Sequence, residues 1–470
     1  MHLNVLTQCS PAPFLDGMWR DPSDRSGTGY RSLDYWVWMG RRLEEACIDA
    51  LFFADIHGVF DVYQGSWRPA VRHGVQVPVI DPVPVVAALA ATTRHLGLAV
   101  TYSTSYHAPY QCARLFSTLD HLAAGRIGWN IVISDIRLGE AVGLCEHLPH
   151  DERYDRADDY VALVRALWEQ SWDDDAVVRN AARDVFADDG KVREITHDSQ
   201  WFRLRGPHSC EVSPQRTPVL YQAGASSRGL AFAARHAEVA FVTLGSPRAG
   251  AAQVAQLRAL AAEHGRGRAD LKVLQGSPVI IAENDREARA KADAYVELTS
   301  REGQLAKWCT WARVDIDRYP PDADAFEVIG EDGVSITKFL DQLSGDRTWT
   351  VRDLRDLIAT PQRPHRYART VLFGTPSQVA DRMEEWMSRT DIDGFNLYPC
   401  PPTAGIDDIC DLLVPELRQR GLFRSAYDPA EKTLRERYFG AGRSRLPMAA
   451  EPPAGREAVA AGRVATTEKE

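Results

Sequence analysis

The stretch LDHLAAGRIGWNIVIS (119–134) constrains the fold more than any other part of the chain. It opens with Leu119, Leu122 and Ala123 on one helical face, stops at Gly125, and runs at once into the apolar, β-branched segment 127–133. A helix stopped by glycine and followed directly by a buried strand is the αβ step of a parallel sheet. Two polar residues, Asn130 and Ser134, sit in that oily run. Leaving a buried polar side chain unsatisfied costs about 1–3 kcal/mol, so each needs a partner. In βα folds the C-terminal ends of strands face the ligand crevice, so the partner can be a cofactor. The alternative is that Asn130 merely satisfies a neighbouring strand or loop.

The same rhythm extends in both directions. Apolar runs at 2–6, 48–54 and 96–104 read as strands, and segments 33–47, 83–93 and 112–124 have helical spacing. Beyond Ser134 come a helix at 151–169, a charged and irregular excursion at 171–215, and strands at 217–223, 237–243 and 274–282. A helix at 375–389 has Thr375 at its N-cap and Pro376 at its first position. A strand at 394–397 and a helix at 407–420, ended by Gly421, complete the series. This alternation predicts an α/β fold, a (β/α)8 TIM barrel. The rhythm fails over about 285–364, which reads as an insertion between the seventh and eighth strands, suited to a lid or pocket element. The acidic loop 315–333 inside it reads as a solvated face. One domain is expected over 1–442, with a disordered tail at 443–470 rich in Ala, Pro, Gly and Glu.

Composition narrows the partners. With 55 Lys and Arg against 65 Asp and Glu, the net charge is −10, and no long basic run argues for nucleic acid or an anionic membrane. The eight cysteines form no CxxC pair, which suits a reducing cytoplasm. No apolar run approaches the roughly 18 residues of a membrane span, so a cytoplasmic protein is expected. The histidines, among them His57, His107 and His365, show no metal-ligand spacing, so no metal is expected. Neither a serine-hydrolase GxSxG nor a dinucleotide GxGxxG stands in a fitting context.

Several residues could carry chemistry. Asp55 ends the second strand after LFFA, where a carboxylate faces the crevice or caps the next element. Thr104, at the exit of the third strand, has the same two readings. His150 and Tyr154 stand four apart at a helix start and share a face. Ser226 and Ser227 follow Gly224 where a helix begins; free N–H groups and the helix dipole there favour an anion such as a phosphate monoester. A plain N-cap would need only one serine.

GRIGWNIVIS resembles the corresponding motif of flavin-dependent monooxygenases related to nitrilotriacetate monooxygenase, pristinamycin IIA synthase and dibenzothiophene-sulfone monooxygenase, a branch of the bacterial-luciferase-like superfamily. Members typically read GRxGWNxVTS after SLDHL; this chain has STLDHL (117–122) and Ile133 where threonine is usual. The similarity continues through HDERYDRADDYV (150–161), YQAGASSRG (221–229), FGTPSQVADRMEEW (373–386), DGFNLYP (393–399) and LVPELRQRGLFR (413–424), in order and over nearly the whole chain.

The resemblance implies a luciferase-like barrel and the oxygenase component of a two-component system. A separate NAD(P)H:flavin reductase would supply reduced FMN (FMNH2), which reacts with O2. A C4a-(hydro)peroxyflavin would then pass one oxygen atom to a small organic substrate: an organosulfur compound, an amine or aminopolycarboxylate, or a natural-product intermediate. The flavin contacts it implies are Asp55, Thr104, Asn130, Ser134, His150 and Tyr154, with Gly224, Ser226 and Ser227 around the phosphate. No catalytic residue is assigned; His107 and His150 are the only candidates for moving a proton. A homodimer or homotetramer is implied as well. An F420-dependent luciferase-like oxidoreductase and a non-catalytic flavin-binding barrel are the rivals, and the GWN and SSRG motifs favour the monooxygenase over the first. The chain departs from the family at Ser10–Pro11–Ala12–Pro13–Phe14, where members carry histidines, and at His107, where asparagine is common. Both departures lie in loops that set substrate choice.

Overall fold

The computed structural model describes residues 1–11, 13, 14, 16–134, 143, 148–224, 226–329, 348–360 and 371–447. Eight parallel strands form the centre: β1 (His2–Gln8), β2 (Ala50–Ala54), β3 (Gly97–Ser103), β4 (Ile127–Val132), β5 (Val219–Gln222), β6 (Val239–Val242), β7 (Lys272–Ile281) and β8 (Gly394–Pro399). Each pairs with the next, and β8 returns to β1 through His2 opposite Gly394, so the sheet closes. Helices α1 (Leu33–Glu45), α2 (Pro82–Thr92), α3 (Pro109–Leu122), α4 (His150–Gln170), α5 (Ser227–His236) and α6 (Pro247–Glu263) follow the first six strands. The expected barrel is the observed one.

The anchor stretch explains itself residue by residue. Arg126 is buried and gives its guanidinium to Ala90 O (3.0 Å) in the last turn of α2 and to Thr93 O (3.2 Å) and Leu96 O (2.7 Å) beyond it, and its Nε to Ala123 O (2.8 Å). It thereby satisfies carbonyls that helix ends leave without partners. Trp129 faces the helix layer and donates to Tyr102 O at 3.0 Å. Gly128 faces the barrel interior, where a Cβ would lie 2.3 Å from the Tyr221 ring. Glycine is there because an aromatic ring already fills the space.

After β7 the chain leaves the barrel. Helix α7 (Asp285–Leu298) sets Ala292, Tyr295 and Leu298 against Met18, Ile280 and Cys400, while α8 (Arg301–Ala312) and α9 (Val351–Ala359) pack with the loop after β2 around a separate apolar core that includes Phe60, Tyr63, Val75, Leu305, Cys309 and Leu354. Insertion and loop therefore form one cap. Of the acids in 315–333, Asp322 and Glu327 are exposed as expected, but two are tied to the cap: Asp315 accepts from Gln64 N (3.1 Å), Asp317 accepts from Gln64 Nε2 (3.2 Å), and Arg355 pairs with Asp317 (3.2 Å). Residues 330–333 of that loop, and His365, lie outside the described residues. The chain re-enters through a short strand, Leu372–Gly374, parallel to the end of β7, and α10 (Pro376–Thr390), whose Thr375–Gln378 capping box matches the expected start.

The segment 171–215 differs from the irregular excursion expected. It holds two antiparallel hairpins, Val177–Asn180 with Val185–Ala187 and Ile195–Asp198 with Arg203–Gly206. Charged pairs such as Arg205–Glu194 (2.8 Å) flank the second, so apolar alternation never announced it. Helix α11 (Leu434–Phe439) adds an element that the apolar periodicity does not signal, although Thr433 and Glu436 spell its capping box. It closes the N-terminal end of the barrel: Tyr438 OH donates to Asn4 Oδ1 (2.7 Å), and Arg435 forms a buried pair with Glu238 (2.7 Å). Just beyond, at the start of the stretch expected to be disordered, Arg443 pairs with Asp270 (2.9 Å) and Arg445 with Asp174 (2.5 Å). The rest of that stretch, 448–470, lies outside the described residues.

Candidate functional site

A cavity of about 290 Å³ lies at the C-terminal mouth of the barrel. This is the end at which (β/α)8 enzymes place their sites. Leu6, Phe52 and Phe241 give it an apolar wall, and Asp55, Thr101, Asn130 and Asn396 supply polar groups. Asn130 on β4 stands opposite Thr101 on β3 and donates Nδ2–H to its Oγ1 at 2.8 Å. The Asn130 Oδ1 is buried with no protein partner, and so is the Oδ1 of Asn396 on β8. Two orphaned acceptors beside one cavity are a standing demand for donors from a ligand.

Asp55 lies at the edge of the same cavity with its side chain 12% exposed. Burial pushes its carboxyl up to about 7, against a bond from Ile56 N–H and with a further push from Asp81. His57 Nδ1 is 3.9 Å from Asp55 Oδ2. The His57 ring meets that of His107 at 5.7 Å, and His107 stacks on Tyr102 at 3.8 Å. Burial, then the neighbouring His57, pushes the His107 imidazole down to about 4, so it is neutral near pH 7. His107 is not among the residues that line the cavity.

Thr104 and Ser134 stand just past the ends of β3 and β4 and are not among the residues that line the cavity. Thr104 Oγ1 donates to Val132 O at 3.3 Å, and Ser134 Oγ bonds Ser103 Oγ at 2.7 Å, tying the exits of β3 and β4 together.

A second group gathers where β5 passes into α5. Gly224 belongs to both places: it lines the cavity, and a Cβ there would meet Gln222 Nε2 at 2.6 Å and Gly229 Cα at 2.8 Å. Ser226 caps α5, its Oγ accepting from Gly229 N at 3.0 Å, and Ser227 is the first helical residue. Tyr154, from α4, brings its hydroxyl to the same turn, 2.9 Å from where a Gly229 Cβ would stand. Arg228 lies 5.4 Å over the Tyr154 ring and pairs with Asp155 (2.8 Å) and Asp158 (2.7 Å). His150 packs against Tyr154 at 5.2 Å, is largely exposed, and bonds Asp151 at 2.7 Å. The geometry thus offers a polar-lined mouth joined, through Gly224, to a helix N-terminus suited to an anion.

Asn396 and Arg228 are site residues that sequence reasoning misses, whereas Thr101 stands among the polar residues (Thr101, Ser103, Thr104, Ser105) that crowd the exit of the third strand in the sequence. Asn396 carries the same signal as Asn130, a polar residue inside an apolar strand (GFNLYP), and could have been found by it. Among the described residues no group of three His, Cys, Asp or Glu side chains could hold a metal ion.

A closed eight-stranded (β/α)8 barrel with a cavity at its C-terminal mouth sets the class. The model of the luciferase-like monooxygenase family matches residues 18–392, and the chain belongs to that family: it is a flavin-dependent monooxygenase. Dimethyl-sulfide monooxygenase of Hyphomicrobium sulfonivorans is 39% identical over 433 residues, 92% of this chain and 88% of that one. Long-chain alkane monooxygenase of Geobacillus thermodenitrificans is 38% identical over 449 residues, 95% and 96% of the two chains. A crystal structure of a long-chain alkane monooxygenase superposes with a TM-score of 0.86, covering 95% of this chain and 97% of that one. A crystal structure of a riboflavin lyase, with modified FMN and riboflavin, is 33% identical with a TM-score of 0.85 and coverage of 95% and 97%. No helix of the described residues is long and apolar enough to cross a membrane.

Proposed function

We propose that the chain is the oxygenase component of a two-component system, taking reduced FMN from a separate NAD(P)H:flavin reductase and using O2 to put one oxygen atom into a small organic substrate. The observation that carries this reading is the pair of orphaned acceptors, Asn130 Oδ1 and Asn396 Oδ1, beside a cavity that Gly224 joins to the turn before α5. A flavin ring system carries N–H donors for the first, and its phosphate suits the second. The residues present therefore fit the group.

Asn130 and Asp55 would hold the ring end, while Ser227, Tyr154 and His150, with the free N–H groups of α5, would hold the phosphate. Gly224 lets the backbone approach closely between them. Thr104 and Ser134 fix the strand exits on which Asn130 stands. When bound, reduced FMN supplies the activation of O2. The chain's part is to orient the ring, to keep water from it with Leu6, Phe52 and Phe241, and to hold a proton at Asp55, which near neutral pH can donate a hydrogen bond as well as accept one.

The test is to supply reduced FMN from any NADH-driven flavin reductase under 18O2 and follow candidate substrates by mass spectrometry. One 18O atom per product molecule, formed only with enzyme and reduced FMN present, is expected. Reduced FMN that binds but is consumed equally with and without substrates of each class would leave a flavin-binding barrel. Tight binding of F420 in place of FMN would favour a deazaflavin oxidoreductase. Sedimentation will show whether the protein is the homodimer or homotetramer that the resemblance implies.

A further inference from the structure

The loop after β1, where the chain departs from its family, reaches the cavity. Phe14 is part of the lining, and its ring stacks on that of Tyr398 at 5.7 Å with an interplanar angle of 27°. Its backbone has φ +62°, which a bulky residue adopts only when its surroundings hold it there.

Those surroundings belong to the cap. Lys307 on α8 pairs with the buried Asp16 carboxylate and donates to Phe14 O at 3.4 Å. Gln304 Nε2 donates to the same carboxylate at 3.0 Å, and Ser300 N donates to Asp16 O at 3.0 Å. The turn that carries Phe14 is thus pinned at several points to the start of α8.

The rest of the lining is equally selective. Among the described residues that line the cavity there is no Arg, Lys or His, and Asp55 is its one carboxyl. An anionic substrate would leave water for a cavity whose described lining offers it hydrogen bonds and a carboxyl but no cation, which is unfavourable. A substrate would share this cavity of about 290 Å³ with the flavin ring, beside Phe14 and Tyr398.

We propose that the cavity takes a compact, uncharged, apolar substrate of the thioether or short-hydrocarbon kind, and that Phe14, held by the Asp16–Lys307 pair, sets the upper limit on its size. This rests on the functional reading above for the place of the flavin. A pocket of this kind discriminates by roughly 10-fold or more for each methylene that does not fit.

The experiment is a series of dialkyl sulfides of rising chain length, with nitrilotriacetate as an anionic probe, measured for binding by calorimetry on the FMN-loaded protein and for turnover with reduced FMN. Wild type is expected to favour the short sulfides and to show no binding of nitrilotriacetate. Phe14→Gly, which removes the ring and relieves the positive φ, should shift preference toward longer chains by about 10-fold or more in relative kcat/KM. Phe14→Leu should lie between, and FMN affinity should stay within about 2-fold in both. Lys307→Met should weaken the discrimination between short and long chains without altering FMN affinity. Tighter binding of nitrilotriacetate than of any sulfide, or a chain-length profile untouched in Phe14→Gly, would overturn the proposal. Sulfide binding in a protein that takes up no FMN would refute the functional reading and leave the apolar pocket standing.

Discussion

Asn130 donates to Thr101 across the β3–β4 pair at 2.8 Å, and this bond leaves the Asn130 Oδ1 without a protein partner at the mouth of the barrel. Replacing Asn130 with Leu removes an acceptor that only a ligand can satisfy. Reduced-FMN affinity should fall by about 5- to 150-fold, the equivalent of about 1–3 kcal/mol. Thermal stability should change by less than that range, because no protein bond other than the one to Thr101 is lost. Fluorescence titration and a melting curve separate the two quantities.

Asp55 should confer a pH dependence that its amide lacks. Its folded carboxyl titrates near 7, well above the usual range, because it is buried. Between about pH 4 and 7 the folded protein keeps a proton that the unfolded chain has released. This group's contribution is therefore fully present at low pH and is lost as the pH rises through 7, by about 4 kcal/mol in all. Asp55→Asn should remove that slope, so denaturant titrations at pH 6 and pH 8 should differ less in the variant than in wild type. Flavin affinity should likewise lose any step near pH 7.

Ser226 and Ser227 should separate in their effects. Ser226 Oγ is committed to Gly229 N, so Ser226→Ala should cost about 1 kcal/mol of stability as a lost N-cap. Ser227 has no such bond, and Ser227→Ala should weaken FMN binding while leaving the melting temperature nearly unchanged. The double variant should show both losses; unchanged FMN affinity would end the phosphate assignment.

Gly128→Ala should destabilise the barrel by about 1–3 kcal/mol or more through overpacking, because its Cβ would stand 2.3 Å from the Tyr221 ring. The loss should show in chemical denaturation of the flavin-free protein, which makes it independent of any site.

The two ends of the C-terminal segment should behave oppositely. Ending the chain after Pro447 should leave turnover and melting intact. Arg435→Met strands Glu238 as a buried charge and should cost about 3–5 kcal/mol. Circular dichroism melts of the two variants measure the contrast directly.

Much of this was legible in the chain because it is local. Helical and strand periods, the glycine stop before β4, the Thr375 cap and the serine turn at α5 are each written within a few residues, and together they specify a βα barrel and place Asp55, Asn130 and Gly224 at its mouth. The family motifs added the chemistry. What only the tertiary structure decided rests on partners far apart in sequence. The union of the loop after β2 with the insertion into one cap, the α11 plug reaching Asn4 from Tyr438, and the hold of Lys307 on the turn of Phe14 all depend on such pairs. Periodicity records which face of an element is apolar; it cannot record which distant surface will cover it. For the same reason the motif GRIGWN could be recognised but not divided. Folding makes its arginine a helix staple, its second glycine a seat for Tyr221, and its asparagine the one side chain left asking for a ligand.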